Sequence, residues 1–217
     1  MTGAPARAPA VSQPSVEGLF PAGVAADVGS WPGRPLQVRR SVGEAMAERT
    51  AEHAAGRAAA ARALQAAGAS DLYVGRSADG APIWPEAFVG SISHGAGHVV
   101  AVAASRRLVA ALGVDVERAG SLTPDLWEGV LCIDEVHAIE SFVDASGLEA
   151  AQVATVAFSA KEAAIKCLSA VGVEAGFLDV VVRHYRETGS WIASCAGVKV
   201  RGRALTTPAA VFAGAWV

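Results

Sequence analysis

The segment FSAKEAAIKCL, Phe158 to Leu168, contains two of the chain's three lysines, Lys161 and Lys166, with Glu162 between them. Every other basic residue except Lys199 is an arginine. A lysine presents a compact, mobile ammonium and an arginine a rigid planar fork, so the two are not interchangeable beside a phosphate. The choice of lysine here points to an anion held locally. Glu162 and Lys166 are also spaced i, i+4 in the favoured orientation, a pair that stabilises an exposed helix by about 0.2–0.5 kcal/mol. Ser159 and Glu162 have the S-x-x-E spacing of a capping box, which predicts that the helix begins near Phe158. Lys161 has no such local partner in the sequence, which leaves it either as a solvated surface lysine or as a group that faces the anion.

A second group lies in GVDVER. Asp115 and Glu117 are two apart on a predicted strand, so both carboxylates project from one face while Val114 and Val116 take the other. Two like charges on one face need solvent, a basic partner or a cation. Mg²⁺ with hard oxygen ligands and a substrate phosphate suits the pair, and a strand end carrying two solvated acids is the plainer alternative. SISHGAGH, Ser91 to His98, sets His94 before Gly95 at the entrance to an apolar strand, where an imidazole can face a phosphate that approaches closely. The Gly-Ala-Gly between His94 and His98 argues against the helical spacing of a zinc pair. Arg49, His53 and Arg57 fall at i, i+4 and i+8 and share one helix face, either as a basic stripe for a polyanion or as a solvated face balanced by Glu48 and Glu52.

These residues need elements to hold them. The first fifteen or so residues read as a flexible tail, and Pro/Gly punctuation continues through GSWPGRP, Gly29 to Pro35. Glu44 to Ala67 is Ala-rich and ends at Gly68, which predicts a helix. The following stretch to His98 is so rich in Gly and Pro that it predicts a loop. Val99 to Ala104 and Leu108 to Glu117 are short apolar runs separated by Ser105, Arg106 and Arg107, which predicts a hairpin of buried strands. Between Asp115 and Glu149 nine acids face the single base Arg118, in a predicted helix-and-loop region. The FSAKEA helix follows, ending near Gly172, and FLDVVVRHY, WIASCAGVKVRGRAL and AAVFAGAWV predict a closing antiparallel series. Helix then strands occurs once per half, which hints at a duplicated α+β unit.

At 217 residues and 52% hydrophobic, the chain can bury a sizeable core as one large domain or two small ones. A net charge of −3 gives no general drive toward nucleic acid or an anionic membrane. Three widely spaced cysteines point to reduced thiols in a cytoplasm, and neither an export signal nor a membrane-length apolar run is evident.

Taken in order, GRAAAARAL, APIWP, GSISH, GVDVER and FSAKEAAIK resemble the 4′-phosphopantetheinyl transferases, most closely the branch typified by the enterobactin synthetase component, which LFPAGVAADV also supports. The resemblance runs from about Leu19 to the end of the FSAKEA helix. It implies an α+β fold of two pseudo-symmetric halves, 16–112 and 113–217 after a flexible tail at 1–15, with the active site in the cleft between them. It further implies transfer of the phosphopantetheine arm of coenzyme A to a serine of an acyl or peptidyl carrier protein, with release of adenosine 3′,5′-bisphosphate.

By the same resemblance Asp115, Glu117 and Glu162 are the Mg²⁺ ligands, or Mn²⁺ ligands in its place, with Glu162 also the candidate base. Lys161 is the lysine on the coenzyme phosphates and, with His94 and Glu162, forms the catalytic set. Arg57, Arg76, Ser93 and His94 grip the coenzyme, with Lys166 and Arg49 as further members. Partners would be coenzyme A and an apo carrier protein from polyketide, nonribosomal peptide, siderophore or fatty acid assembly, engaged by a cytoplasmic monomer without nucleic acid or membrane. Two competing readings are a metal-dependent nuclease, which lacks its usual acid-x-lysine triplet because Ala163 and Ala164 follow Glu162, and a coenzyme A-binding regulatory module without catalysis.

Overall fold

A computed structural model describes residues 15–30, 41–146, 149–185 and 189–217. The tail expected over 1–15, apart from Ser15, and most of the Gly29 to Pro35 punctuation lie outside the described residues. The architecture is α+β. A three-stranded antiparallel sheet, order β1-β5-β4, is built from β1 (Ala25–Ser30), β4 (Phe88–Gly95) and β5 (His98–Ser105). A five-stranded sheet, order β6-β10-β9-β8-β7, joins β6 (Leu112–Arg118) to β7 (Val181–Tyr185), β8 (Ser190–Cys195), β9 (Val198–Thr206) and β10 (Ala210–Trp216). The short β2 (Gly75–Arg76) and β3 (Pro82–Ile83) pair only with each other. The closing series is antiparallel as expected.

Helix α1 (Val42–Ala66) starts where the S-x-x-E spacing is used as a true capping box, with Ser41 Oγ accepting from the Glu44 N–H and Glu44 accepting from the Ser41 N–H. It buries Ala59, Ala60, Ala63 and Leu64 against Val99, Ala101 and Ala103 of β5. Helix α3 (Ala150–Ser169) covers the larger sheet, packing Ala160, Ala163, Ala164, Cys167 and Leu168 against Trp191, Val200, Ala213 and Ala215. Helix α2 (Ile133–Ser146) follows a 3-10 turn at Pro124–Gly129 and packs on the outer flank of α3. Among the described residues no helix is long and apolar enough to cross a membrane, and all three cysteines are free thiols.

Two sequence expectations are corrected. The Gly/Pro-rich stretch before His98 is not a loop, because it contains β4. That strand buries Val89, Ser91 and Ser93 at alternate positions, and two hydroxyl residues on the inner face hide the apolar alternation that would have announced it. The expected β5–β6 hairpin does not form either. β5 pairs with β4 and β1, whereas β6 pairs with β10. β6 needs cover on both faces. Val114 and Val116 pack with Val100 and Val102 of the smaller sheet in one apolar cluster, while Gly113 and Asp115 turn toward α3. Each buried Val contributes about 1.5–3 kcal/mol, so an inter-sheet core that includes these valines firmly joins the two sheets.

Two glycines permit this arrangement. A Cβ on Gly113 would lie 1.9 Å from the Ala163 carbonyl oxygen, and one on Gly95 would lie 2.2 Å from that of Val116. Only glycine lets α3 and β4 approach β6 this closely, and that approach brings three elements to Asp115.

Candidate active site

Asp115, 3% exposed, sits where β6, β4 and α3 meet. Its Oδ1 accepts from Ser93 Oγ of β4 at 2.9 Å and from Lys166 Nζ of α3 at 2.8 Å. Its Oδ2 accepts from Ser159 Oγ of α3 at 2.9 Å. Lys166 Nζ also donates to Ser93 Oγ and to the Val114 carbonyl, each at 3.2 Å, and lies 3.8 Å from Glu162 Oε2. Ser159, Glu162 and Lys166, at i, i+3 and i+7, occupy one helical stripe that faces the strand acids.

Glu117 shares the face of Asp115, and its Oε2 accepts from Ser121 Oγ at 3.3 Å. Burial pushes its carboxyl up to about 7, aided by the charges of Asp115 and Glu162 and opposed by the Ser121 hydroxyl and Lys166. Glu162 is also raised, again chiefly by burial, with Lys166 opposing and Asp115 adding to it. Asp115 and Glu162 therefore share one ammonium, and Glu117 feels the charges of all three. This is an acidic site with unbalanced charge.

The reading of Asp115, Glu117 and Glu162 as metal ligands is one in which water or substrate completes the shell. Among the described residues no three His, Cys, Asp or Glu side chains gather closely enough to hold an ion by themselves. The donor set still fits Mg²⁺ chemically, because that ion commonly takes only one or two carboxylates and completes its shell with water and substrate phosphate. Hard oxygens, excess negative charge and carboxyls destabilised by each other's proximity are what a divalent cation relieves.

Lys161 is also corrected. It is fully buried, with Nζ 2.6 Å from Glu135 Oε2 of α2 and 2.8 Å from both the Val130 and Phe177 carbonyls. Its ammonium is consumed by these acceptors and points away from the acids, so it cannot grip a coenzyme phosphate. Successive helix residues are turned by about 100°, which sends Lys161 toward α2 and leaves Glu162 at the site. Ser159 is likewise not an N-cap. The helix begins at Ala150, so Ser159 lies in its interior with its hydroxyl on Asp115. The clue in the sequence was Ala150 to Ala157, a run of helix-compatible residues without Gly or Pro. Glu135 gave no sequence signal. It was one acid among nine, and only the packing of α2 on α3 pairs it with a lysine.

The other candidate ligands spread over the smaller half. Ala96 and Gly97 both have positive φ, 51° and 79°, in the two-residue turn joining β4 to β5. His94, exposed, precedes that turn, and His98 packs on Phe212 in a tilted arrangement with ring centroids 5.6 Å apart. Arg49 is exposed on the first half of α1, and Arg57 is half-buried two turns later. Burial, then the charge of neighbouring Arg76, pulls Arg57 below the usual arginine range. Its Nε is buried without a hydrogen-bond partner among the described residues. A buried donor without a partner, under the charge of a second guanidinium, is an arrangement that an anion would relieve. A separate concavity of about 830 Å³, between α2, α3 and strands β7, β9 and β10, is lined by none of these residues.

The fold and this site define a class that comparison with known proteins makes explicit. Residues 37–104 match the 4′-phosphopantetheinyl transferase N-terminal domain, and residues 111–202 match the 4′-phosphopantetheinyl transferase superfamily. The chain belongs to that superfamily. Among curated proteins it is similar to enterobactin synthase component D of Salmonella typhi, 36% identical over 124 residues that cover 56% of this chain and 49% of the relative. The protein of that name from Escherichia coli (strain K12) is 36% identical over 135 residues, 61% of this chain and 60% of the relative. The matched stretch thus spans about half to three-fifths of these relatives.

Proposed function

We propose that the protein transfers the 4′-phosphopantetheine arm of coenzyme A to a serine hydroxyl of an apo carrier protein. The supporting observation is the cluster of Asp115, Glu117 and Glu162 with the Lys166 ammonium, assembled from β6 and α3 beside β4. Phosphoryl transfer asks a protein mainly for positioning and charge neutralisation, and no covalent nucleophile is needed.

Asp115 and Glu117 would hold Mg²⁺, and the ion when bound would supply charge neutralisation to the pyrophosphate. Glu162, half-buried and raised in pKa, accepts the proton of the carrier serine. The serine oxygen bonds to the phosphorus next to the pantetheine arm as the bridging P–O bond breaks, and adenosine 3′,5′-bisphosphate leaves with the negative charge. Lys166, 30% exposed, exchanges part of its hold on Asp115 for a phosphate oxygen, and His94 meets the same pyrophosphate from the β4–β5 turn. Arg57 and Arg76 take the 3′-phosphate, and Arg49 extends the basic face.

Incubation with coenzyme A, Mg²⁺ and an apo carrier protein, followed by intact mass, tests this. The expected result is a carrier heavier by one phosphopantetheine arm. The relatives are named for enterobactin synthase, so a carrier from siderophore assembly is the first to try. An unchanged mass across a carrier panel that a control transferase modifies would refute the proposal.

A further inference from the structure

Ser159 has a hydroxyl with one partner among the described residues and no solvent, being 0% exposed in the middle of α3. Interior helix serines commonly return their hydroxyl to the carbonyl four residues back. Ser159 instead donates to Asp115 Oδ2 at 2.9 Å. A carboxylate offers about four lone-pair positions. On Asp115, two on Oδ1 are taken by Ser93 and Lys166, and one on Oδ2 is taken by Ser159. One position on Oδ2 remains among the described residues.

We propose that Ser159 is a positioning residue for Asp115, fixing the rotation of the carboxylate so that the remaining Oδ2 lone pair is the one offered to a divalent cation. The inference rests on the metal role given to Asp115 above. Ser93 and Lys166 both act on Oδ1 and together anchor one end of the carboxylate. Torsion about the Cβ–Cγ bond is broad and shallow, and Ser159 is the group that restrains Oδ2. The two hydroxyls come from opposite sides of β6, Ser93 from the smaller sheet and Ser159 from the helix on the larger one. The carboxylate is therefore set only when both halves are docked. Residues that hydrogen-bond a metal ligand from behind typically change metal affinity or activity by about 10–100-fold when removed.

The test is calorimetric titration of the full chain with Mn²⁺ at saturating coenzyme A, without carrier, on the wild type and on Ser159→Ala, Ser159→Cys and Ser159→Thr. The cysteine variant keeps the packing volume but offers only a weak donor, and the threonine variant keeps the donor. Ala and Cys should each weaken Mn²⁺ binding by about 10–100-fold while Thr stays near wild type. Thermal melting of the Cys variant should stay close to wild type, which separates donor loss from misfolding. Mn²⁺ affinity unchanged in the Cys variant, or Thr as weak as Ala, overturns the role of Ser159 while leaving the metal reading intact. A wild type that binds no Mn²⁺ overturns the metal reading and this inference together.

Discussion

Lys161 Nζ lies 2.6 Å from Glu135 Oε2 with both side chains sealed from solvent, and the same carboxylate group accepts the Cys132 and Val182 backbone N–H groups. This pair ties α2 and β7 to α3. Lys161→Ala would leave Glu135 charged, buried and unpaired, a loss of about 3–5 kcal/mol. Urea denaturation should show that loss, and Lys161→Met combined with Glu135→Gln should recover much of it. Lys161→Ala as stable as wild type would contradict this account.

Lys166 differs in what it does for activity. It is partly exposed and sits among acids, so Lys166→Ala should lower the transfer rate by on the order of 10²–10³, and its melting temperature should also fall because buried Asp115 keeps only its two hydroxyl donors. Lys166→Arg should not restore the rate, because a planar fork cannot take the place of a point charge held by Asp115, Ser93 and the Val114 carbonyl. Equal loss of activity per folded molecule in the Lys161 and Lys166 variants would refute the distinction.

The raised Glu117 carboxyl predicts a pH signature. Below pH 4.5 the group is protonated folded and unfolded, so it contributes nothing. Between 4.5 and about 7 the unfolded chain ionises while the folded one resists, and the folded state loses stability that it does not regain above 7. Glu117→Gln should therefore melt higher than wild type at pH 8, with the difference vanishing near pH 4.5. Divalent cation binding needs the ionised carboxylate, so in the wild type it should tighten as pH rises through about 7. Calorimetry across this range reads both effects, and a stability difference independent of pH would count against them.

Arg57 and Arg76 are expected to hold the phosphate that distinguishes coenzyme A from dephospho-coenzyme A. Arg57→Ala and Arg76→Ala should weaken coenzyme A binding and narrow its preference over the dephospho form, whereas His94→Ala should weaken both ligands alike. Titration of each variant with both ligands decides the matter. An undiminished preference in both arginine variants would locate that phosphate elsewhere.

The residue types and local spacings of the acid cluster were readable directly. Asp115 and Glu117 share a face because strand side chains alternate. Glu162 and Lys166 share a stripe because a helix repeats every 3.6 residues, a period of about four positions. The helix ending at Ala66 and the antiparallel closing strands were legible for the same reason, since each follows from near neighbours in the chain. What the sequence could not carry was choice among equivalent partners. The S-x-x-E pattern occurs at Ser41 and at Ser159, yet only the first caps a helix, because only there does the helix begin. Lys161 and Lys166 are both lysines of one helix, and the packing of α2 gives the first to Glu135 while the approach of β6 gives the second to Asp115. Serines on β4 concealed a buried strand whose polar groups are satisfied only from across the molecule. Hydrogen bonds between residues far apart in the chain are fixed by which surfaces pack, and packing is decided by the tertiary structure alone.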